Sequence, residues 1–326
     1  MQMFYKSSIK EQMNTWAEAG IPFIFIIDFE LKKPLIFRLE EIDPQRLLFN
    51  INGITNCHNH IKCLKQLQLV KYPENYEDYL AKFNKAKVEI AYGNSYLLNL
   101  TCSTPIDLNL TLMEVYLMSN SRYKIWYEGE FVCFSPEIFI TICDGIIRSF
   151  PMKGTIDARI SDAEKVILND NKETAEHYTI VDLIRNDLNS VSKRVRVERF
   201  RYIDIIVTNE KKLLQVSSEV CGDLEKNYLS HIGDIIFALI PAGSVSGAPK
   251  RKTLEIIAAT EGRERGYYTG IFGIFDGHNL DSCVMIRYIE KSRDGYIYYS
   301  GGGITSHSDP LSEYQEMIDK IYVPIV

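Results

Sequence analysis

The sequence has few of the features that mark disulfide-rich, zinc-binding or redox-active proteins. Its seven cysteines are an odd number, are scattered along the chain and include no Cys-x-x-Cys pair. A disulfide framework or a paired zinc site needs regularly or closely spaced cysteines, so neither is expected. Most of the cysteines lie in apolar runs that are typical of buried free thiols. We therefore expect a protein of the reducing cytoplasm.

Long blocks of one charge are also missing. The 37 basic and 43 acidic residues leave a net charge of −6, without a basic tail or block. This balance argues against nucleic acid or an anionic membrane as the main partner and favours a small molecule. No apolar run approaches the ~20 residues that a membrane helix needs. The opening segment MQMFYKSSIKEQ has no signal-peptide pattern, so we expect neither nucleic acid nor a membrane as a partner.

Internal repeats, low-complexity segments and Pro/Gly/Ser linkers are absent as well. The 326 residues, of which 46% are hydrophobic, can fill a sizeable core. We therefore predict a single domain over residues 1–326, with an N-terminal layer up to about residue 75 and a core over 75–325.

One short motif invites a metal-site interpretation. Cys57, His58 and His60 lie within the sequence NCHNH. They are too close together to build a tetrahedral zinc site without distant ligands. An exposed polar loop is the favoured interpretation.

An acid and an amine flank an apolar segment over residues 135–155. The runs FITIC and IIRSF, separated by a CDG turn, predict a β-hairpin. Glu137 precedes the first run and Lys153 follows the second. Because a hairpin returns its ends to one edge, the two side chains are expected to share a site, where lost solvation would lower the pKa of the Lys153 amine and activate it as a nucleophile. A surface salt bridge is the alternative that spacing alone allows.

Two predicted helices each carry a Glu-x-x-Glu pair on one face. The pairs are Glu173 and Glu176, in the helix predicted over 171–191, and Glu313 and Glu316, which share a face with Lys320 in the helix that Ser308 or Asp309 caps. Solvated helix faces account for most such pairs, and acids near a helix N-terminus complement its dipole. If the two pairs faced each other, they would supply hard oxygen ligands for Mg²⁺. Spacing leaves both alternatives open.

Two glycine-containing stretches predict close backbone approach to a ligand. In the loop over 243–250, Gly243, Gly247 and Pro249 place a tight turn before a helix that begins near Lys250. Its N–H groups would face an anion such as a carboxylate, although the spacing is not that of a nucleotide-binding P-loop. A purely structural turn is the alternative. The run 301–303, which is all glycine, would also let backbone approach a ligand.

Taken together, these motifs resemble the chorismate-utilising enzyme family. The resemblance covers roughly residues 75–325 and rests on eight blocks in the same order and spacing: SPE (135–137), PMKGT (151–155), AEHYTIVDLIRNDL (175–188), PAGSVSGAPK (241–250), YTGIFG (268–273), IRYIE (286–290), GGGI (301–304) and EYQEMIDK (313–320). It implies an α+β fold in which large antiparallel sheets, flanked by helices, enclose one buried site. It also implies that Mg²⁺ bridges protein carboxylates and the ring carboxylate of chorismate.

The resemblance also implies roles for individual residues. Direct metal ligands match Glu176 and Glu316, and acids that act through metal-bound water match Glu173 and Glu313. Positions that hold the substrate's carboxylates match Ser246, Tyr268, Arg287, Gly302, Gly303 and Lys320. Glu137 matches the general acid that protonates the departing ring 4-hydroxyl.

Lys153 indicates the branch of the family. The motif PMKGT resembles that of aminodeoxychorismate synthase component I, in which the lysine attacks ring C2 and ammonia then adds at C4, whereas anthranilate and isochorismate synthases resemble each other in having Ala there. Leu97 stands where water-using relatives carry a lysine base, and leucine cannot deprotonate water. Gln215 departs from the His found in many relatives, which puts one substrate contact in doubt.

No GxCxG-type nucleophile loop is present, so ammonia is expected from a separate glutamine amidotransferase subunit or from solution. The expected activity is Mg²⁺-dependent conversion of chorismate and ammonia to 4-amino-4-deoxychorismate, for p-aminobenzoate and folate. Anthranilate synthase component I is the alternative enzyme, and a non-catalytic homologue that binds a glutaminase is the alternative of another class.

Overall fold

The computed structural model describes residues 2–57, 66–207 and 212–325. His58 and His60 lie outside the described residues, as does Cys63, so the metal-site hypothesis for NCHNH stays untested. Elsewhere the thiols of Cys102, Cys133, Cys221 and Cys283 are free and buried. This is the environment that the apolar runs around these cysteines predict.

Runs of consecutive strands separate the helices along the described part of the chain. The strands are β1 (Phe23–Ile27), β2 (Leu35–Arg38), β3 (Leu47–Ile51), β4 (Ile54–Thr55), β5 (Leu69–Lys71), β6 (Leu97–Leu108), β7 (Tyr123–Tyr127), β8 (Phe131–Ser135), β9 (Ile138–Cys143), β10 (Ile146–Ser149), β11 (Met152–Asp157), β12 (Lys193–Val207), β13 (Lys212–Asp223), β14 (Gly247–Ala248), β15 (Ile271–Phe275), β16 (Leu280–Val284), β17 (Tyr288–Ser292) and β18 (Gly295–Ile304). The helices are α1 (Gln2–Glu18), α2 (Tyr76–Ala91), α3 (Leu112–Met118), α4 (Ala163–Leu168), α5 (Asn171–Asn189), α6 (Ile232–Leu239), α7 (Gly243–Ser246), α8 (Lys250–Glu261) and α9 (Pro310–Asp319).

The strands form two antiparallel sheets, each of nine strands within the described residues. Sheet A has the order β11-β13-β10-β9-β16-β15-β1-β2, with β12 paired to β13. Sheet B has the order β14-β6-β18-β17-β8-β7-β3-β4, with β5 paired to β6. The predicted α+β class with large antiparallel sheets is therefore confirmed.

The two sheets pack face to face, and helices cover their outer faces. Strand β1 shows why: all five of its residues are buried, so both of its faces need apolar partners. Ile24 and Ile26 join the cluster between the sheets, whereas Phe23, Phe25 and Ile27 join the cluster that includes residues of α1, α5 and α6. On the far side, residues of α2, α8 and α9 pack against β6 and β18.

Strands that precede residue 75 belong to both sheets. β1 and β2 lie at one end of sheet A, whereas β3, β4 and β5 belong to sheet B. The N-terminal residues therefore contribute to both halves of the sandwich. The single-domain assignment over 1–326 stays a prediction.

One described stretch meets the length and composition of a membrane helix. Tyr228–Ser246 has a mean hydropathy of 1.4, and 56% of its most apolar window is buried. Ile232, Ile236 and Leu239 pack in the same cluster as residues of α1, which is the place of a core helix in this fold. The expectation that no apolar run approaches membrane length missed this stretch, because Asp234 and the glycines interrupt it.

Candidate active site

The hairpin predicted within 135–155 is present. Strands β9 and β10 pair with Ile146 opposite Cys143, and Asp144 and Gly145 take φ values of 52° and 73° at the turn, as a two-residue hairpin loop requires. Lys153, however, lies on the next strand, β11, which pairs with β13. The amine is therefore brought into the site by a third strand and not by the hairpin itself.

Glu137 and Lys153 do not form the salt bridge that spacing alone allowed. The Ser244 hydroxyl donates to Glu137 Oε1, whereas Lys153 Nζ lies 2.8 Å from Glu176 Oε2. Burial raises the pKa of Glu137, although the Ser244 hydrogen bond and nearby positive charges act in the opposite direction. A carboxyl group with a raised pKa stays protonated to higher pH, which suits a proton donor.

The Lys153 amine holds its proton more tightly than its sequence context predicts. Burial favours the neutral amine, but Glu176, with Glu316 and Glu173 beyond it, outweighs burial and raises the pKa of Lys153. The predicted fall in pKa is therefore wrong. Its neighbours are carboxylates and not the apolar side chains that the prediction assumed.

The two Glu-x-x-Glu pairs approach a common centre. Asp170 caps α5 by accepting from the Glu173 N–H, and Asp309 caps α9. Glu173 and Glu313 lie in the first turns of these helices, and Glu176 and Glu316 follow on the next turn. Glycines make room for them. A Cβ atom at Gly302 would lie 3.2 Å from Glu313 Oε2, and one at Gly154 would lie 3.1 Å from Glu173 Oε2.

The carboxylates of this centre are engaged by lysines. Lys320 Nζ lies 2.6 Å from Glu316 Oε1 and donates to the Gly301 carbonyl at 2.8 Å, just as Lys153 pairs with Glu176. In the described part of the chain, no three His, Cys, Asp or Glu side chains converge to hold a metal ion. Oxygen donors of the kind that Mg²⁺ prefers are thus present, but each lysine amine would have to leave its carboxylate before a cation could bind there.

An open cavity of about 850 Å³ adjoins this centre. Arg287, Glu316 and Lys320 line it, together with Gln215 from β13 and Thr155 from β11. Thr155 and Gln215 are cross-strand neighbours. Gln215, whose contact with the substrate the sequence left in doubt, therefore lies at the cavity. A glutamine amide can hydrogen-bond a ligand there but cannot exchange a proton near neutral pH.

Arg287 has an unsatisfied donor at this cavity. Its Nε is buried and finds no hydrogen-bond acceptor among the described residues, and its backbone φ is 55°. The guanidinium lies 5.0 Å from the centre of the Tyr322 ring. A buried unpaired donor and a strained backbone are both costly. The guanidinium, which lines the cavity, is the cation that would pair with an anionic ligand there. Lys320 supplies a second cation, which fits a dicarboxylate.

Other residues that were predicted to contact the substrate do not line this cavity. Tyr268 is 3% exposed and stacks on Tyr299 with ring centres 5.3 Å apart. Ser246 is fully buried, and its hydroxyl donates to the Ala242 carbonyl at 2.8 Å. Gly303 lies opposite Asn99 in the β18–β6 pairing. The roles assigned to these three residues stay predictions.

A buried ion pair that the sequence analysis missed links α8 and α7 to β6. Arg265 Nη2 lies 2.6 Å from Glu261 Oε1, and both side chains are 1% exposed. The same guanidinium donates to the carbonyls of Asn99 at 2.7 Å and Val245 at 2.8 Å. Glu261 Oε1 also accepts from the Thr101 N–H and hydroxyl. The i,i+4 spacing of the pair was the signal available in the sequence.

Loss of this guanidinium should destabilise the fold strongly. Arg265→Met would remove the cation nearest the buried Glu261 carboxylate and leave only the longer 3.8 Å contact with Arg263, so we expect a loss of about 3–5 kcal/mol in the free energy of unfolding. Arg251→Met is the control, because Arg251 is 97% exposed and its contact with Glu255 is long, at 3.8 Å. Urea denaturation followed by circular dichroism measures both. Equal stabilities of the two variants would contradict this role.

Comparison with known proteins identifies similar chains. The model of the family described as chorismate binding enzyme matches residues 44–325. A protein of Haemophilus influenzae named "Uncharacterized PabA-like protein" is 49% identical over 97% of this chain and 96% of its own length. Aminodeoxychorismate synthase component 1 of Bacillus subtilis is 32% identical over 73% of this chain, which spans 53% of that relative. The structure of anthranilate synthase component I from Streptococcus pneumoniae superposes with a TM-score of 0.67 at 26% identity, covering 79% of this chain and 59% of that one.

Proposed function

This chain belongs to the family of chorismate-binding enzymes, and on that basis we propose that it is an aminodeoxychorismate synthase component I. The proposed reaction converts chorismate and ammonia to 4-amino-4-deoxychorismate. The observation that carries the proposal is the Lys153 amine on β11, enclosed with Glu176, Glu316 and Glu173 beside a cavity lined by Arg287 and Lys320.

The proposed chemistry uses two residues, an acid and a nucleophile. Glu137, with its raised pKa, protonates the 4-hydroxyl as it leaves. The Lys153 amine gives its proton to solvent and attacks C2 as the ring double bonds shift and the C4–O bond breaks, so that one difficult displacement becomes two easier ones. Ammonia then adds at C4 and expels the lysine. Arg287 and Lys320 would pair with the carboxylates of the substrate.

Leu97 supports an amine nucleophile over water. It is the first residue of β6, and its Cδ1 would lie 3.1 Å from a Cβ at Gly303. The apolar Leu97 side chain thus lies against Gly303 of β18, at the position where a base would be needed to activate water. Its place favours the amination reaction over hydroxylation at C2.

We further propose a separate glutamine amidotransferase as the source of ammonia. The relatives named component 1 support a partner component, and this chain spans about half the length of the Bacillus subtilis relative. A non-catalytic homologue that only binds such a partner is less well supported, because the predicted acids, Lys153 and Glu137 are all present.

Product identification tests the proposed reaction. With chorismate, ammonium and Mg²⁺, mass spectrometry should show 4-amino-4-deoxychorismate as the main product. Loss of the proton donor in Glu137→Gln should lower the rate by about 10²–10⁴-fold, whereas exposed Glu255→Gln should keep it. Anthranilate as the main product would overturn the assignment in favour of anthranilate synthase component I.

Mg²⁺ is proposed as the cofactor, held by Glu176 and Glu316 directly and by Glu173 and Glu313 through water. The four carboxylates supply the hard oxygen donors that Mg²⁺ prefers, and Lys153 and Lys320 would have to leave Glu176 and Glu316 for the ion to bind. When bound, it would neutralise the ring carboxylate and polarise the substrate.

Metal affinity gives a direct measure of this assignment. Glu176→Gln and Glu316→Gln should each weaken Mg²⁺ binding by at least about tenfold, since even the residues around metal ligands change affinity by this much. Calorimetric titration with Mg²⁺ in the presence of chorismate measures it, with Glu255→Gln as the matched control. Affinities that match the wild type in both variants would show that the metal, if bound, lies elsewhere.

A further inference from the structure

Ser244 contacts the carboxyl group that the proposed reaction uses as its acid. The residue lies in the single turn α7, and its hydroxyl donates to Glu137 Oε1. The two residues are 107 positions apart in the chain, so the contact is made by the fold and not by local sequence. Neither the motifs nor the comparisons assign a role to this hydroxyl.

The turn that carries Ser244 is fixed from behind by α5. The Asp187 carboxylate lies beside Gly243, where a Cβ would come within 2.9 Å of its Oδ2, and it pairs with Lys250 at 3.0 Å. Lys250 donates in addition to the Leu239 carbonyl at 2.9 Å. A Cβ at Gly243 would lie 2.2 Å from Leu183 Cδ2, so the turn packs closely on the helix. The Ser244 hydroxyl therefore has a defined position relative to Glu137.

The surroundings of the pair are mostly apolar. A small cavity of about 20 Å³ adjoins Glu137 and Ser244, which is room for about one water molecule. Its walls include the buried side chains of Phe139, Ile184 and Leu239. Few groups compete for the carboxyl in such surroundings, and hydrogen bonds are stronger there than in water.

We propose that Ser244 is a positioning residue for Glu137: its hydroxyl holds Oε1 and leaves Oε2 as the oxygen that carries the transferable proton. The inference rests on the proposed function of Glu137 as the acid. It extends that function by assigning the group that orients the carboxyl. Ser244 itself forms no bond to the substrate and exchanges no proton in this account.

The hydrogen bond also has a defined effect on ionisation. A donated hydrogen bond stabilises the carboxylate, so Ser244 opposes the rise that burial causes in the pKa of Glu137. The other charged or titratable groups that act on or adjoin Glu137 are Arg287, Lys320, Lys153, Asp187 and Cys283. Ser244→Ala removes the hydroxyl and leaves these groups in place. The pKa of Glu137 should then rise further, and the acid should stay protonated to higher pH.

Steady-state kinetics from about pH 6 to 9, across the range in which a general acid works, tests the proposal. In Ser244→Ala we expect kcat to fall at least about tenfold on the plateau, since orientation of the acid is lost. KM should change by less than about twofold, and the basic limb of the kcat profile should move to higher pH. Ser244→Thr keeps the hydroxyl and should return the basic limb of the kcat profile to its wild-type pH. Ser230→Ala, which removes a hydroxyl bonded to the Asn227 carbonyl, should match the wild type.

Chorismate consumption is the measured rate, so the test does not depend on which product forms. A lower kcat with an unmoved basic limb would overturn the proposal, because a merely structural role would give that result. Infrared difference titration of the Glu137 carboxyl, assigned with Glu137→Gln, decides the matter even if the chain does not turn over chorismate. The same pKa in the wild type and Ser244→Ala would also overturn it.

Discussion

The pairing of a half-buried amine with acids from two helices is the constraint on which the site depends. Lys153 lies 2.8 Å from Glu176 on α5 and is influenced by Glu316 on α9, so the edge of sheet A meets both helices at one charge centre. Separating any of these charges would leave another one partly buried without its partner. The sandwich, the helix caps and the glycines beside the acids serve to hold this centre.

The same charge balance links structure to the proposed chemistry. Acids hold the Lys153 amine in its protonated form, whereas attack on carbon requires the neutral amine. Arg287 and Lys320 sit at the adjoining cavity, and the Nε of Arg287 is still without an acceptor among the described residues. In the proposed reaction an anionic substrate would pair with these two cations. Binding and activation would then be coupled through one small set of charges.

Much of the local structure follows from the sequence. The Asp-Gly turn between β9 and β10 and the Asp309 cap with Pro310 at the start of α9 depend on neighbouring residues only, and both predictions are confirmed. Long-range pairing was harder to predict. Nothing near Lys153 in the chain specifies that β11 pairs with β13, which is why its acidic neighbours and its raised pKa were missed.

Contacts between distant segments explain the other features that could not be predicted from the sequence. No motif marks α1, whose Asn14 side chain accepts from the Gly233 N–H across 219 positions. Ser244 stands in a quoted motif, but its contact with Glu137 depends on how α7 packs against α5. The family could be inferred from blocks of sequence, whereas the partners of each reactive group required coordinates.

A trapping experiment tests most directly whether Lys153 is the nucleophile. Chorismate and Mg²⁺ are mixed with the protein without ammonia, the mixture is quenched in acid over a series of times, and peptides are mapped by mass spectrometry. We expect a chorismate-derived mass on the peptide that contains Lys153, and neither adduct nor amination in Lys153→Ala. Amination by Lys153→Ala at the wild-type rate would contradict the claim.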